Sequence, residues 1–193
     1  MIPESYLYLY EYKNLPEDLF RWKNDDDIVV PRGPELVPEP SMETSVANFQ
    51  RLCVGVGKYP TKEDGEIYLC TLMNPENGRV ESWSIGSHRS PELVERAVQR
   101  LLGMYPNLAT RREKLILRSS QNPLYKGKAY KEIMANYPII IEMTEPGTRG
   151  GVMVVSTFFS QLMIRKGGYQ FITRQDGVSW LSEYVYTNRI QKA

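Results

Sequence analysis

Few residues of this 193-residue chain have the type and spacing of a catalytic set. The one histidine, His88, precedes a helix start in a polar loop, where an exposed ring is expected rather than a general base. Cys53 and Cys70 lie in apolar strand-like runs without metal-site spacing, so both are expected as buried thiols in a reducing, cytoplasmic setting. Ser120 and Ser156 offer hydroxyls, but the pattern sets no histidine or lysine base beside either, which argues against a serine nucleophile. Four carboxylates lie at strand ends or in adjoining loops, where a cation could be considered: Asp64 and Glu66 at one end of an apolar strand, Glu142 at the end of another, and Glu145 in the loop that follows. None of them sits on the elements a metal site of the kind considered below would use.

Charge is unevenly distributed. Residues 1–45 hold ten acidic and four basic residues, a net of −6, so with a whole-chain charge of +1 the remainder carries +7. A basic domain behind an acidic arm is compatible with a polyanionic partner. The bases best placed to meet one are Arg118, Lys126, Lys128 and Arg149, which flank the turn and the loop of residues 115–163.

Those bases must be positioned by α/β elements. Residues 115–117 read as an apolar strand, residues 128–135 as a short amphipathic helix and residues 138–143 as a second, almost wholly apolar strand. A glycine-rich loop (residues 145–151) then leads into an apolar helix from Val152. Upstream, residues 52–59 read as a strand interrupted by Gly55 and Gly57, residues 66–73 as a strand buried on both faces, and residues 79–85 as a third strand. Short turns join these three into an antiparallel meander. Ser90-Pro91 opens a helix that buries Leu93, Val94, Ala97, Val98, Leu101 and Leu102, and Gly103 is expected to end it. A closing helix over residues 175–191 should dock through Val178, Leu181, Tyr184, Val185 and Ile190. Ahead of all this, Tyr6, Tyr8, Tyr10 and Tyr12 alternate along a strand-like run, and four prolines between residues 31 and 44 mark a linker. The expected organisation is an arm and linker over residues 1–45 and one domain over 46–193.

Composition supports a globular domain with a real core, since 41% of the residues are hydrophobic and 24% are charged. No apolar run reaches the roughly 18 residues of a membrane span, and the N-terminus lacks the basic-then-apolar order of a signal peptide. No motif for a small-molecule substrate is evident.

Residues from about 48 to 191 resemble the integrase core of bacterial insertion-sequence transposases, a domain of ribonuclease-H-like fold. The resemblance is carried by EIYLCTLMNPENGRVESWSIG at residues 66–86, LRSSQNPLYKGKAYKEIM at 117–134, RGGVMVVSTFFSQL at 149–162, and Thr173-Arg174 with SEYVYTNR at 182–189. It implies a five-stranded mixed sheet, with the first strand central between the second and fourth, and helices on its faces. It also implies two divalent ions, magnesium or manganese, held by three carboxylates around a scissile phosphate. Matched position by position, the first carboxylate falls on Gly55, the second on Ser120 and the third on Ser156. The 35 residues between Ser120 and Ser156 keep the family's characteristic gap. Glycine and two neutral hydroxyls cannot replace carboxylates around divalent ions.

The expectation is therefore a protein of this fold without catalytic residues and without a metal cofactor, kept for binding DNA or for association with itself or a related transposase. A second reading is a protein-interaction scaffold whose acidic arm masks the basic core. An active metal-dependent strand transferase is disfavoured. The family's separate helical DNA-binding region has no counterpart in residues 1–45.

Overall fold

The computed structural model describes residues 47–145 and 152–191. The acidic arm, its tyrosine-striped run, the boundary near residue 45 and Arg149 all lie outside the described residues.

Five strands form one sheet: β1 (Arg51–Pro60), β2 (Glu66–Met73), β3 (Val80–Gly86), β4 (Leu115–Ser119) and β5 (Ile139–Met143). Their order is β3-β2-β1-β4-β5. β1 is central, antiparallel to β2 and parallel to β4, as the ribonuclease-H-like reading requires. β2 and β3 complete the antiparallel meander, and β5 adds in parallel to β4. The β1–β2 turn is closed by Gly65, whose φ of +83° is the left-handed conformation that favours glycine.

Alternation on β1 divides the sheet into two faces. Leu52 and Val54 join the larger core cluster together with Leu72, Leu115, Leu117 and Ile139. Helices α1 (Pro91–Met104) and α4 (Lys128–Met134) cover that face through Leu93, Val94, Ala97, Val98, Leu101, Tyr130 and Met134. Gly55 and Gly57 point the other way, towards α5 (Met153–Lys166). α5 buries Val155, Phe158 and Leu162, and α6 (Arg174–Gln191) buries Val178, Leu181 and Val185 with Tyr184 half-buried. The start of α6 is fixed by hydrogen bonds: Thr173 Oγ1 accepts from Asp176 N, Asp176 Oδ2 from Ile172 N, and Asp64 Oδ2 from Arg174 N at 2.7 Å.

Several expectations need correction. Gly103 does not end α1. It keeps helical geometry, with no positive φ, and the helix runs on to Met104. Pro106 disfavours helical geometry at Tyr105 before it, and Tyr105 leaves the helix with φ −128° and ψ 72°. Ser90 has the extended backbone of a cap, but its side chain accepts no backbone hydrogen bond. Two short helices also appear, α2 (Asn107–Thr110) and α3 (Pro123–Lys126); the latter is capped by Asn122 Oδ1, which accepts from Leu124 N at 3.1 Å. β5 is apolar but is the sheet edge, so Ile139 is buried while Ile140 is 51% exposed. Cys53 and Cys70 are buried as expected, and burial pushes the Cys70 thiol up to about 12. His88 is exposed, its Nδ1 2.9 Å from Ser87 Oγ. No helix among the described residues is long and apolar enough to cross a membrane.

Candidate functional site

The parallel register decides what faces what. Leu52 pairs with Leu117 and Cys53 with Arg118; Gly55 follows two residues on in β1, and Ser120 two residues on, just beyond the end of β4. From the opposite side, α5 brings Val155 onto Gly55 and places Ser156 beside it. Gly55, Ser120 and Ser156 consequently line one cleft of about 390 Å³. The three positions selected by sequence matching are one place in space.

Its floor is apolar and close-fitting. A Cβ built on Gly55 would stand 2.1 Å from Val155 Cγ1 and 3.1 Å from Phe159 Cε2. One on Gly57 would stand 2.6 Å from Phe159 Cε1 and 2.8 Å from Tyr59 Oη. Ordinary carbon contacts are about 3.5–4.0 Å. Two glycines on one strand face thus let α5 approach the sheet, and its side chains fill the volume into which a carboxylate at position 55 would project.

The polar rim comprises Lys58, Arg89, Ser120 and Ser156. Lys58 is ion-paired with Glu66, which holds the ammonium above its ordinary range and so keeps it charged rather than available as a base. Burial likewise pushes the Tyr59 phenol up, so it stays protonated. Among the described residues the cleft lining holds no carboxylate, imidazole or thiol. Nor does any group of three or more His, Cys, Asp or Glu among them converge so as to hold a metal ion. The carboxylates considered from sequence are used elsewhere. Asp64 caps α6, Glu66 accepts from Tyr68 Oη as well as pairing with Lys58, and Glu142 pairs with Arg118; Glu145 is exposed beyond β5. The described residues do not fit the three-carboxylate, two-ion site that the sequence resemblance implies.

The bases selected from sequence are dispersed. Arg118 lies opposite Glu142 in the β4–β5 register and binds it through both Nε (3.1 Å) and Nη2 (2.9 Å), while Arg51 adds a 3.8 Å contact. This fork-to-carboxylate pairing holds the Glu142 carboxyl below its usual range and spends the Arg118 donors within the sheet. Lys126 ends α3 and is exposed; Lys128 begins α4, exposed, 3.5 Å from Glu132 one turn on. None of these three lines the cleft. Two cleft cations, Lys58 and Arg89, were not singled out by sequence reasoning. The available signal was the Gly55-x-Gly57 spacing on one strand face, which marks a close approach and hence where the cleft opens.

No protein-family model matches the sequence, and no curated protein matches it. Solved structures do share its architecture. The catalytic domain of Mos1 mariner transposase is similar with a TM-score of 0.57 and 10% identity, over 71% of this chain and 70% of that one. The same catalytic domain with raltegravir and Mg gives 0.56 and 10%, over 71% of each chain. The Mos1 strand transfer complex gives 0.51 and 9%, over 71% of this chain and 47% of that one. At such identities the likeness establishes fold: the described core has the five-stranded, helix-flanked architecture of transposase catalytic domains.

Proposed function

We propose that this chain is a transposase-like protein of the insertion-sequence type that no longer cuts DNA and is retained to bind DNA or a related transposase, in a regulatory or architectural role. The observation that carries the reading is the cleft itself. The three positions matched to metal-binding carboxylates meet there, yet hold Gly55, Ser120 and Ser156, and Val155 and Phe159 crowd the first of them. A site of this composition can offer hydrogen bonds and positive charge, but not the anionic oxygens that two hard cations need. The +7 balance of residues 46–193 supports a polyanion partner; of the cations assigned to it, Arg118, Lys126, Lys128 and Arg149, the first and third would have to exchange their Glu142 and Glu132 partners for phosphate.

Duplex affinity measured across a salt series tests this. Binding should weaken linearly on a log–log plot, with a slope of about −0.9 per phosphate neutralised, and should weaken further in an Arg118/Lys126/Arg149 triple alanine variant. Absence of duplex binding at low salt would refute it. The −6/+7 charge split favours a second reading, in which an acidic arm (residues 1–45) covers the basic core (46–193) and the domain serves as an interaction scaffold. Deleting residues 1–45 separates the two: tighter DNA binding supports masking, and unchanged binding removes it.

A further inference from the structure

We propose that Arg89 is the phosphate anchor of a metal-independent nucleic-acid site in the cleft of Gly55, Ser120 and Ser156. The inference rests on the DNA-binding reading and deepens it by naming the group that contacts the strand. Four observations converge on Arg89. It lines the same cleft as the three matched positions. It is exposed, in the connection between β3 and α1. Lys58, the other cation lining the cleft, is committed to Glu66. Arg89, by contrast, makes no ion pair with a carboxylate among the described residues.

The ligand class follows from the lining. A guanidinium offers a planar fork of donors that matches phosphate oxygens, and the Ser120 and Ser156 hydroxyls can donate to the same group. The apolar floor of Val155 and Phe159 denies the metal its carboxylate but gives a sugar or base a dry surface. A metal site neutralises phosphate with two divalent ions; here one organic cation at the rim would do so, without activating water. The cleft would therefore hold a phosphodiester without cleaving it.

The test is fluorescence anisotropy of a labelled duplex with the full chain, comparing wild type, Arg89→Ala and Arg89→Lys. Each is titrated over a salt series, in EDTA and in millimolar magnesium at matched ionic strength. Wild type should bind in EDTA, and magnesium should not strengthen that binding, since it competes for the same phosphates. Arg89→Ala should bind about tenfold more weakly and lose about 0.9 from the log–log salt slope. Arg89→Lys should keep the slope and lose only part of the affinity. Arg89→Ala binding with wild-type affinity and slope would overturn the assignment while leaving the DNA-binding reading intact. Binding that requires magnesium would overturn metal independence. Failure of wild type to bind any duplex would overturn both. Inorganic phosphate is the competitor control: displacement no better than chloride at equal ionic strength supports a nucleic-acid strand as ligand. Arg89-dependent binding of phosphate alone overturns that choice.

Discussion

Replacing Gly55 by alanine adds one methyl group to β1, and the structure gives the direction of its effect. The new Cβ would lie 2.1 Å from Val155 Cγ1, well inside van der Waals contact, and 3.1 Å from Phe159 Cε2. Gly55 is fully within a regular strand, and its φ is not in the left-handed region, so the backbone itself accepts alanine. Were the space above it open, Gly55→Ala would stabilise the fold by about 0.4–1 kcal/mol by restricting the unfolded chain. With α5 seated there, the methyl overpacks a close-fitting contact, at a cost of about 1–3 kcal/mol. For a domain of this size each kcal/mol moves the melting temperature by about 2–4 °C, so a fall of roughly 2–12 °C is expected. Thermal melting by circular dichroism measures it. The partner variant Val155→Ala removes the clashing methyl. In the double variant the two changes should be strongly non-additive, with Gly55→Ala costing much less than in the wild-type background. Gly55→Ala melting at or above wild type would refute the claim that the helix occupies the carboxylate space.

Three further outcomes are expected. Arg118 holds the Glu142 carboxyl below its ordinary range, so its stabilisation is present above the unfolded-state value and is lost as pH falls through the lower, folded-state one. Glu142→Gln should thus flatten the acid limb of the stability–pH curve by at most about 1 kcal/mol, the pair being part-exposed. Glu183 is shifted the other way: desolvation raises its carboxyl, so the folded state holds the proton more tightly and stability falls as pH rises through that window. Glu183→Gln should melt above wild type at pH 7, and the difference should vanish once the carboxyl is protonated in wild type. Asn122→Ala removes the cap on α3 and should cost about 1 kcal/mol in chemical denaturation, without altering α1 or the sheet.

Much of the frame was legible because hydrophobic patterning determines it. The EIYLCTLM run is β2 with the expected bounds, and the α1 face of Leu93, Val94, Ala97, Val98 and Leu101 is buried as its spacing requires. Ends were harder. Gly103 looked like a stop, but a glycine without positive φ continues a helix, and Pro106 carried the real signal. Helices of four residues, such as Asn107–Thr110, are too short to show a period. The site divided in the same way. Ser120 and Ser156 were legible through their spacing, and the parallel pairing of β1 with β4 puts Gly55 and Ser120 at one cleft. The pairing of Arg118 was not legible, because Glu142 lies 24 residues away and meets it only through strand register. Arg89 was overlooked for a related reason: it reaches the cleft from a connection whose own sequence shows only a helix start.

In the proposed reading, Gly55, Ser120 and Ser156 stand where the resemblance puts metal-binding carboxylates but cannot hold the ions. Isothermal calorimetry of the full chain with manganese tests this most directly, because manganese is a tight-binding stand-in for magnesium at oxygen-donor sites. The account predicts no saturable heat at this site, and no change between wild type and the Ser120→Ala/Ser156→Ala variant. Stoichiometric manganese binding in wild type that is lost in that variant would contradict it.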